Sequence, residues 1–596
     1  MIINYNKFMR LFFKIFILLF FSTEYLSTQT TANIIINPDS LNIPINPMVF
    51  SSGDEIDAVL SPLNQIQPLI NLTNTPMLRF GGISAEYFDW EGDDYSGLIY
   101  VDFFDTFTLP LTVNFGLDSL LRLCEDLNIQ PILTVNMHIN DTGLARRMVE
   151  YVNGDSSSPL GSIRASRGHP QPYNVSIWSL GNEPDIAGLE LPLGDYIWTM
   201  YRHFNFPFSS WSWQDSSFWT VYDFANLIPA YVQAMEQSSP IPLEFIYSIS
   251  GYENWLRPVI QPNLNLIDYL DVHYYPSGTF DTVFDSTDYI EWLRKTDTIN
   301  PAENYVQKFR DSLAAMGADR IEVVVLEYNG GINFVADSLW WNYLTGLFIA
   351  DCIGHWMNCS LSMASVYSIH EGSPSDTSFP LYGIIRGDIP SRRLASYVLE
   401  LYSQYFGDSL IYSHSDHVNS GYGIEAWSSK RNRDKKYVCM VINKTLDTTY
   451  QVCLEILDSV MYIELRDICQ DAPLSAPFNG TTGIHYQGLI YPDSSSSHHT
   501  YFNITFEPKS ISLLEITLPQ STSVQQPGPV DNLQLIPTLI YPGMRIVVNQ
   551  DNYRLFSVSG QKIKEWINTE TIVIPSLPGG LYFFQTGLNY RKVLLF

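Results

Sequence analysis

Cysteine is scarce in this chain, six in 596 residues, and that excludes a disulfide scaffold as the source of its stability. No CxxC pair and no His/Cys cluster stands in the sequence, so no metal site and no cofactor is expected. Positive charge is scarce too. With 33 Lys and Arg against 62 Asp and Glu, the net charge of −29 repels a phosphate backbone, and no basic patch interrupts it, so nucleic acid is excluded as a partner. Long apolar runs are missing beyond the N-terminus, so no transmembrane segment is expected after leader removal.

What is present is apolar and aromatic. Hydrophobic residues make up 45% of the chain, enough for a large core in two or three domains. Aromatic content is 14%, and rings of this kind either pack the core or stack on the C–H faces of sugars. Near the N-terminus, Lys7 and Arg10 precede an apolar run at 11–21, broken only by Lys14, and then the polar Ser22-Thr23-Glu24. A charged region before an apolar segment too short to cross a bilayer comfortably predicts a secretory signal over 1–28.

Between residues 45 and 400, strand patterns alternate with helical ones. The apolar runs lie near residues 49, 78, 134, 177, 246, 271, 325 and 366. Parallel strands need helical crossovers, so eight such units predict a (β/α)8 barrel, an α/β fold. The first strand is expected at 45–50, emptying into a polar functional loop at 51–55. An aromatic-rich stretch at 203–222 is expected as a loop over the mouth or as a self-packed cluster. From 401 to 520 short alternating strands predict a β-sandwich, to which residues 29–44 return as an additional strand. Residues 521–529, with Gln525-Gln526-Pro527-Gly528-Pro529, read as a linker, and 530–596 as a small all-β C-terminal domain. Cys352 and Cys359 stand two helical turns apart, roughly 10 Å, too far to bridge. Cys439 and Cys453 flank a hairpin turn expected at 444–448, which would set them opposite each other.

Two carboxylates carry the chemistry. Glu183 follows the strand Asn174-Val175-Ser176-Ile177 in the run Trp178-Ser179-Leu180-Gly181-Asn182-Glu183-Pro184-Asp185, and Glu327 follows Val323-Val324-Val325-Leu326. They end the fourth and seventh barrel strands, whose ends face one another across the mouth. A separation of roughly 5 Å there is the geometry of a retaining glycosidase. Asn182 can meet a sugar hydroxyl, while Asp89 and Asp185 read as solvated neighbours.

These residues resemble clan A of the retaining glycoside hydrolases, in which an Asn-Glu pair ends the fourth strand and a second Glu the seventh. Met148-Val149-Glu150-Tyr151-Val152-Asn153-Gly154, Gly168-His169-Pro170-Gln171-Pro172-Tyr173-Asn174-Val175, His273-Tyr274-Tyr275-Pro276 and Leu326-Glu327-Tyr328-Asn329 are most similar to the α-L-arabinofuranosidase family. Leu78-Arg79-Phe80-Gly81-Gly82 is similar to that family's Arg-Tyr-Pro-Gly-Gly segment but lacks its proline. The resemblance implies Glu327 as nucleophile and Glu183 as acid/base, acting on plant-type polysaccharide or oligosaccharide. Asn182, Glu55, Arg79, His273 and Tyr275 would bind substrate or aim Glu327. Cousins that act as β-xylosidases, glucuronidases or endo-β-glucanases share both Glu positions, and a non-catalytic polysaccharide-binding surface protein is the alternative of another class.

The C-terminal run Tyr553-Arg554-Leu555-Phe556-Ser557-Val558-Ser559-Gly560-Gln561-Lys562, with Ile574-Pro575-Ser576-Leu577-Pro578-Gly579-Gly580-Leu581-Tyr582-Phe583 and Arg591-Lys592-Val593, resembles the sorting domain of the type IX secretion system. That implies type IX secretion machinery as a partner and a secreted or cell-surface location.

Overall fold

The structure, a computed structural model, describes residues 28–54, 63–82, 85, 90–91, 116–137, 140–185, 221–276, 286–296, 301–330, 343–371, 383–386, 391–419, 421–469, 484–496, 498–519, 539–540, 545–557, 562–575, 580–586 and 589–595. Eight parallel strands close into a barrel in sequence order: Ser51–Asp54, Met77–Phe80, Gln130–Val135, Ile177–Leu180, Glu244–Ile249, Tyr269–Val272, Glu322–Tyr328 and Ala364–Tyr367. The eighth pairs with the first, Ser365 opposite Ser51, so the sheet has no edge. Helices cover its outside. Leu117–Leu127 shows why they form: Leu117, Leu120, Leu121 and Cys124 recur at helical spacing and are all buried.

Side chains alternate across each barrel strand, and this sorts two layers. Met77, Ile132, Ile177, Ile246, Val324, Leu326 and Met363 fill the interior as one cluster. Their neighbours Leu78, Leu133, Trp178, Tyr247 and Val325 face out under the helices, in a second cluster.

The first strand departs from expectation. The apolar residues Pro47–Phe50 form a 3-10 turn, started by Asn46, whose Oδ1 accepts from Met48 N at 3.1 Å. The polar Ser51–Asp54 is the strand, and all four residues are buried. Space explains the reversal. A Cβ on Gly53 would stand 3.1 Å from Ser365 Oγ and 3.3 Å from Arg79 O, so position 53 is crowded between the eighth and second strands.

Two sheets sharing Ser409–Ser415 form the β-sandwich after the barrel. Thr28–Asn37 lies in it, antiparallel to Ser409–Ser415 and parallel to Thr448–Ile456. The expected Cys439–Cys453 hairpin does not exist. Lys436–Asn443 pairs with Tyr422–Arg431 and Ser510–Thr517, whereas Thr448–Ile456 crosses to the other sheet between Thr28–Asn37 and Thr500–Phe506. Cys439 therefore faces Ser428 and Leu514, Cys453 faces Asn33 and Asn503, and no disulfide joins them. The crossing is driven by burial: Ile34, Cys439, Val452, Leu454, Phe502 and Leu514 meet between the sheets.

Residues 520–596 form a separate compact unit. Its five-stranded sheet runs in the order Leu539–Ile540, Asn589–Leu595, Gly580–Thr586, Arg545–Ser557, Lys562–Val573. No helix among the described residues is long and apolar enough to cross a membrane.

Candidate active site

The carboxyl-terminal rim of the barrel gathers Arg79, Asn182, Glu183, Ser248, Asp271, His273, Tyr275 and Glu327. Alternation puts several of them there. On the second strand Arg79 lies two residues past inward-facing Met77, on the fifth Ser248 lies two past Ile246, and Asp271 and His273 share one face of the sixth.

Glu327 does not follow from alternation. Val323 and Val325 face out and Val324 and Leu326 face in, which would send Glu327 outward. Pairing with the eighth strand slips at this point: Ala364 is opposite Val325, but Val366 is opposite Tyr328. One extra residue is a β-bulge, and it turns Glu327 into the mouth while Tyr328 faces out. The Leu326 N–H at the bulge donates to Asp271 Oδ1 at 2.7 Å.

Glu183 leaves its strand through Gly181 (φ 73°) and is itself left-handed (φ 45°), a strained state for a residue with a Cβ. Its carboxylate lies beside Glu327. One oxygen of each and one ring nitrogen of His273 all fall within 4.8 Å of one another.

Both oxygens of Glu327 accept hydrogen bonds, Oε1 from Tyr275 Oη at 2.8 Å and Oε2 from Arg79 Nη1 at 3.0 Å. Arg79 Nη2 donates to Asn182 Oδ1 at 2.7 Å and to Ser248 Oγ at 3.2 Å. Gly82 N also donates to that oxygen at 3.3 Å, which fixes the Asn182 amide with its oxygen toward Arg79. Nδ1 of His273 is 2.5 Å from Glu183 Oε1, and its Nε2 is 2.9 Å from Ser248 Oγ and 3.1 Å from Asp271 Oδ2.

Burial opposes charge on His273, but the carboxylates of Glu327, Asp271 and Glu183 outweigh it and hold its pKa well above the ordinary value. Burial likewise works against ionised Asp271, yet His273 and Arg79 keep its pKa low. At Glu327 burial prevails: its carboxyl is pushed up against the pull of His273, Arg79 and Tyr275, with the charge of Glu183 adding to the push. Glu183, His273 and Glu327 are also the three groups near enough to share a cation, but Glu327 already accepts from two donors, the setting of a hydrogen-bonded anion.

Asn182, Glu183, Arg79, His273, Tyr275 and Glu327 thus come together. Glu55 and Asp89 lie outside the described residues, as do residues 203–220 of the aromatic stretch. Asp185 is not solvated: it is fully buried and accepts from the Ser250, Gly251 and Tyr252 backbone and from Ser250 Oγ. Sequence reading passed over Ser248 and Asp271. The i, i+2 spacing of Asp271 and His273 on one strand was a signal for the second.

Residues 74–294 match the family model described as "Alpha-L-arabinofuranosidase 1 domain". The barrel is arabinofuranosidase-like. A stretch of 72 residues is 39% identical to alpha-L-arabinofuranosidase C of Emericella nidulans, covering 12% of this chain and only 14% of that relative. The structure of an alpha-L-arabinofuranosidase from Thermotoga maritima, an arabinose complex, superposes with a TM-score of 0.62 at 18% identity, covering 82% of this chain and all of the other. CelM2, a bifunctional glucanase-xylanase from a metagenome library, superposes at 0.56 and 14% identity, over 82% of this chain and 99% of its own. At such identities the arabinofuranosidase-like barrel and its β-sandwich share with these structures a fold.

Proposed function

We propose that this chain is a secreted retaining glycoside hydrolase of α-L-arabinofuranosidase type, acting on plant-type polysaccharide or oligosaccharide. The observation that carries the reading is the meeting of Glu183 and Glu327, with carboxylate oxygens within 4.8 Å, at the barrel mouth. That spacing suits direct attack by one carboxylate; an inverting enzyme needs roughly 6.5–9.5 Å to admit a water.

Glu327, held by Arg79 and Tyr275, attacks the anomeric carbon. The bond to the leaving oxygen breaks as Glu183 gives that oxygen its proton, and a glycosyl ester forms on Glu327. Water then attacks the same carbon, Glu183 takes its proton, and the ester bond breaks. His273 bridges Asp271 and Glu183 and holds one oxygen of the acid/base in place. Asn182 bonds the 2-hydroxyl, a contact that strengthens as the ring gains positive charge. Glu55 is assigned to sugar hydroxyls by resemblance.

Glu327→Ala should abolish turnover of aryl glycosides, and Glu183→Ala should abolish it for those with poor leaving groups such as phenol. Azide should rescue Glu183→Ala with retained and Glu327→Ala with inverted configuration; a folded Glu327→Ala protein with native turnover would sink the assignment. A panel of arabinofuranosides, β-xylosides, glucuronides and β-glucans decides the sugar, and binding across it without turnover would favour a polysaccharide-binding surface protein. The glucanase-xylanase on the same fold is the reason to include the β-xylosides and β-glucans.

The domain scheme stands as part of this reading: signal at 1–28, strand 29–44, barrel 45–400, sandwich 401–520, linker 521–529 and a type IX sorting domain at 530–596. The separate β-unit at the C-terminus supports it. Residues 520–596 fused to a periplasmic reporter, in a bacterium carrying that machinery, should direct its export; a reporter retained in the periplasm would refute this.

A further inference from the structure

The backbone of Glu183 is strained, and something must hold it there. A left-handed φ on a non-glycine residue is unfavourable and persists only where neighbours over-determine it. On one side Asn182 is pinned by Arg79 and Gly82. On the other, two residues along, Asp185 is buried completely, with no route to a substrate.

Every contact of the Asp185 carboxylate goes to one loop. Oδ1 accepts from Ser250 N at 2.8 Å, and Oδ2 accepts from Ser250 Oγ at 3.0 Å, Gly251 N at 3.1 Å and Tyr252 N at 2.9 Å. The loop follows the fifth barrel strand and needs its glycine, for Gly251 has φ +123° and a Cβ there would stand 2.6 Å from Tyr305 Oη. That hydroxyl donates to the carbonyl of His273 at 2.6 Å, and His273 holds the side chain of Glu183. Glu183 is thus held by its backbone through Asp185 and by its carboxyl through His273, and the 250–252 loop that binds Asp185 runs beside Tyr305, which holds the His273 backbone.

We infer that Asp185 is a positioning residue for the acid/base, its carboxylate fixing the 250–252 loop so that strained Glu183 stays aimed at the glycosidic oxygen. The inference rests on the reading of Glu183 as acid/base. Asp185→Asn tests it, because the amide turns an NH2 group toward backbone N–H donors and cannot accept from all of them.

The readout is kcat/KM across aryl glycosides of one sugar whose phenols differ in acidity. A poor leaving group needs the proton from Glu183 and a good one such as 2,4-dinitrophenol does not. For phenyl glycosides the variant should lose about tenfold or more, part of the roughly 100-fold or greater assistance of a placed general acid, and less than about threefold for dinitrophenyl glycosides. Ser250→Ala, which removes one of the four hydrogen bonds, should show a smaller loss with the same trend, and it carries the test if Asp185→Asn does not fold.

Equal loss across the series, or none, overturns the positioning role. Glu183→Ala run beside them separates the two claims. If it shows the leaving-group trend and the Asp185 and Ser250 variants do not, only this inference falls; if Glu183→Ala lacks the trend, the acid/base assignment itself falls.

Discussion

Arg79 spans the site: one guanidinium, fully buried, reaches Glu327, Asn182 and Ser248, with Asp271 Oδ2 at 3.6 Å. Its planar fork joins Glu327 to Asn182, the residue before Glu183, which a lysine could not do. Tyr275 gives the cleaner prediction. Its hydroxyl donates to Glu327 and favours the ionised form, while burial pushes the other way. As the proposed nucleophile Glu327 must be ionised, so on that proposal the acid limb of kcat/KM is set where Glu327 loses its proton. Tyr275→Phe removes a donor to the anion and raises the pKa further. The acid limb should move to higher pH by about one unit, the worth of a hydrogen bond to a charged group. A pH–rate profile checks this, and a limb that stays in place or moves down contradicts the role given to Tyr275.

At the scale of elements, the motif that carried the family resemblance turns out to be a scaffold. Asn153, at the end of the helix Thr142–Asn153, exchanges two hydrogen bonds with the backbone of Val175, both at 2.8 Å, and so sets where the Glu183 strand begins. Arg164, fully buried, donates to the carbonyls of Tyr151, Val152 and Gly154 and to those of His169 and Pro170. The carbonyls of Tyr151, Val152 and Gly154 lie at the end of the helix Thr142–Asn153, and the neighbouring helix Pro159–Ser166 supplies their donor. Burial lowers the pKa of this guanidinium. Arg164→Met should cost about 3 kcal/mol or more, since buried acceptors lose their partner. Denaturant titration measures it, and turnover per folded molecule should change little. The motif shapes the strand that presents Glu183.

Across the larger unit, barrel and sandwich share one core. Val438, Met440, Ile442, Ile511 and Leu513 of the sandwich lie in the same apolar cluster as the barrel helices. Lys444, wholly buried, bridges Asp351 on the helix Tyr343–Asn358 at 2.9 Å and Glu425 at 2.5 Å. Gly354 of that helix makes room for Trp427, whose ring would stand 2.1 Å from a Cβ there. Lys444→Met should destabilise by about 3–5 kcal/mol, because removing one partner leaves buried carboxylates without their cation. Thermal unfolding measures it. For the same reason, residues 45–400 expressed alone should aggregate, whereas a chain ending at 519 should keep its turnover, since residues 520–596 form a unit of their own. Inactivity of the folded 1–519 chain would show that the C-terminal unit contributes to the site.

Local pattern was enough for the barrel, because parallel strands buried on both faces read as apolar runs spaced by helices, and for the placing of two glutamates at strand ends. Other features depend on which segments meet. The polar first strand is a matter of space beside Ser365 and Arg79. The two cysteines part because their strands are drawn into different sheets. Ser248 and Asp185 matter through partners far along the chain, and no nearby residue betrays them. The inward turn of Glu327 comes from an extra residue in the pairing with the eighth strand, and a register belongs to two strands at once, so neither strand's residues disclose it alone.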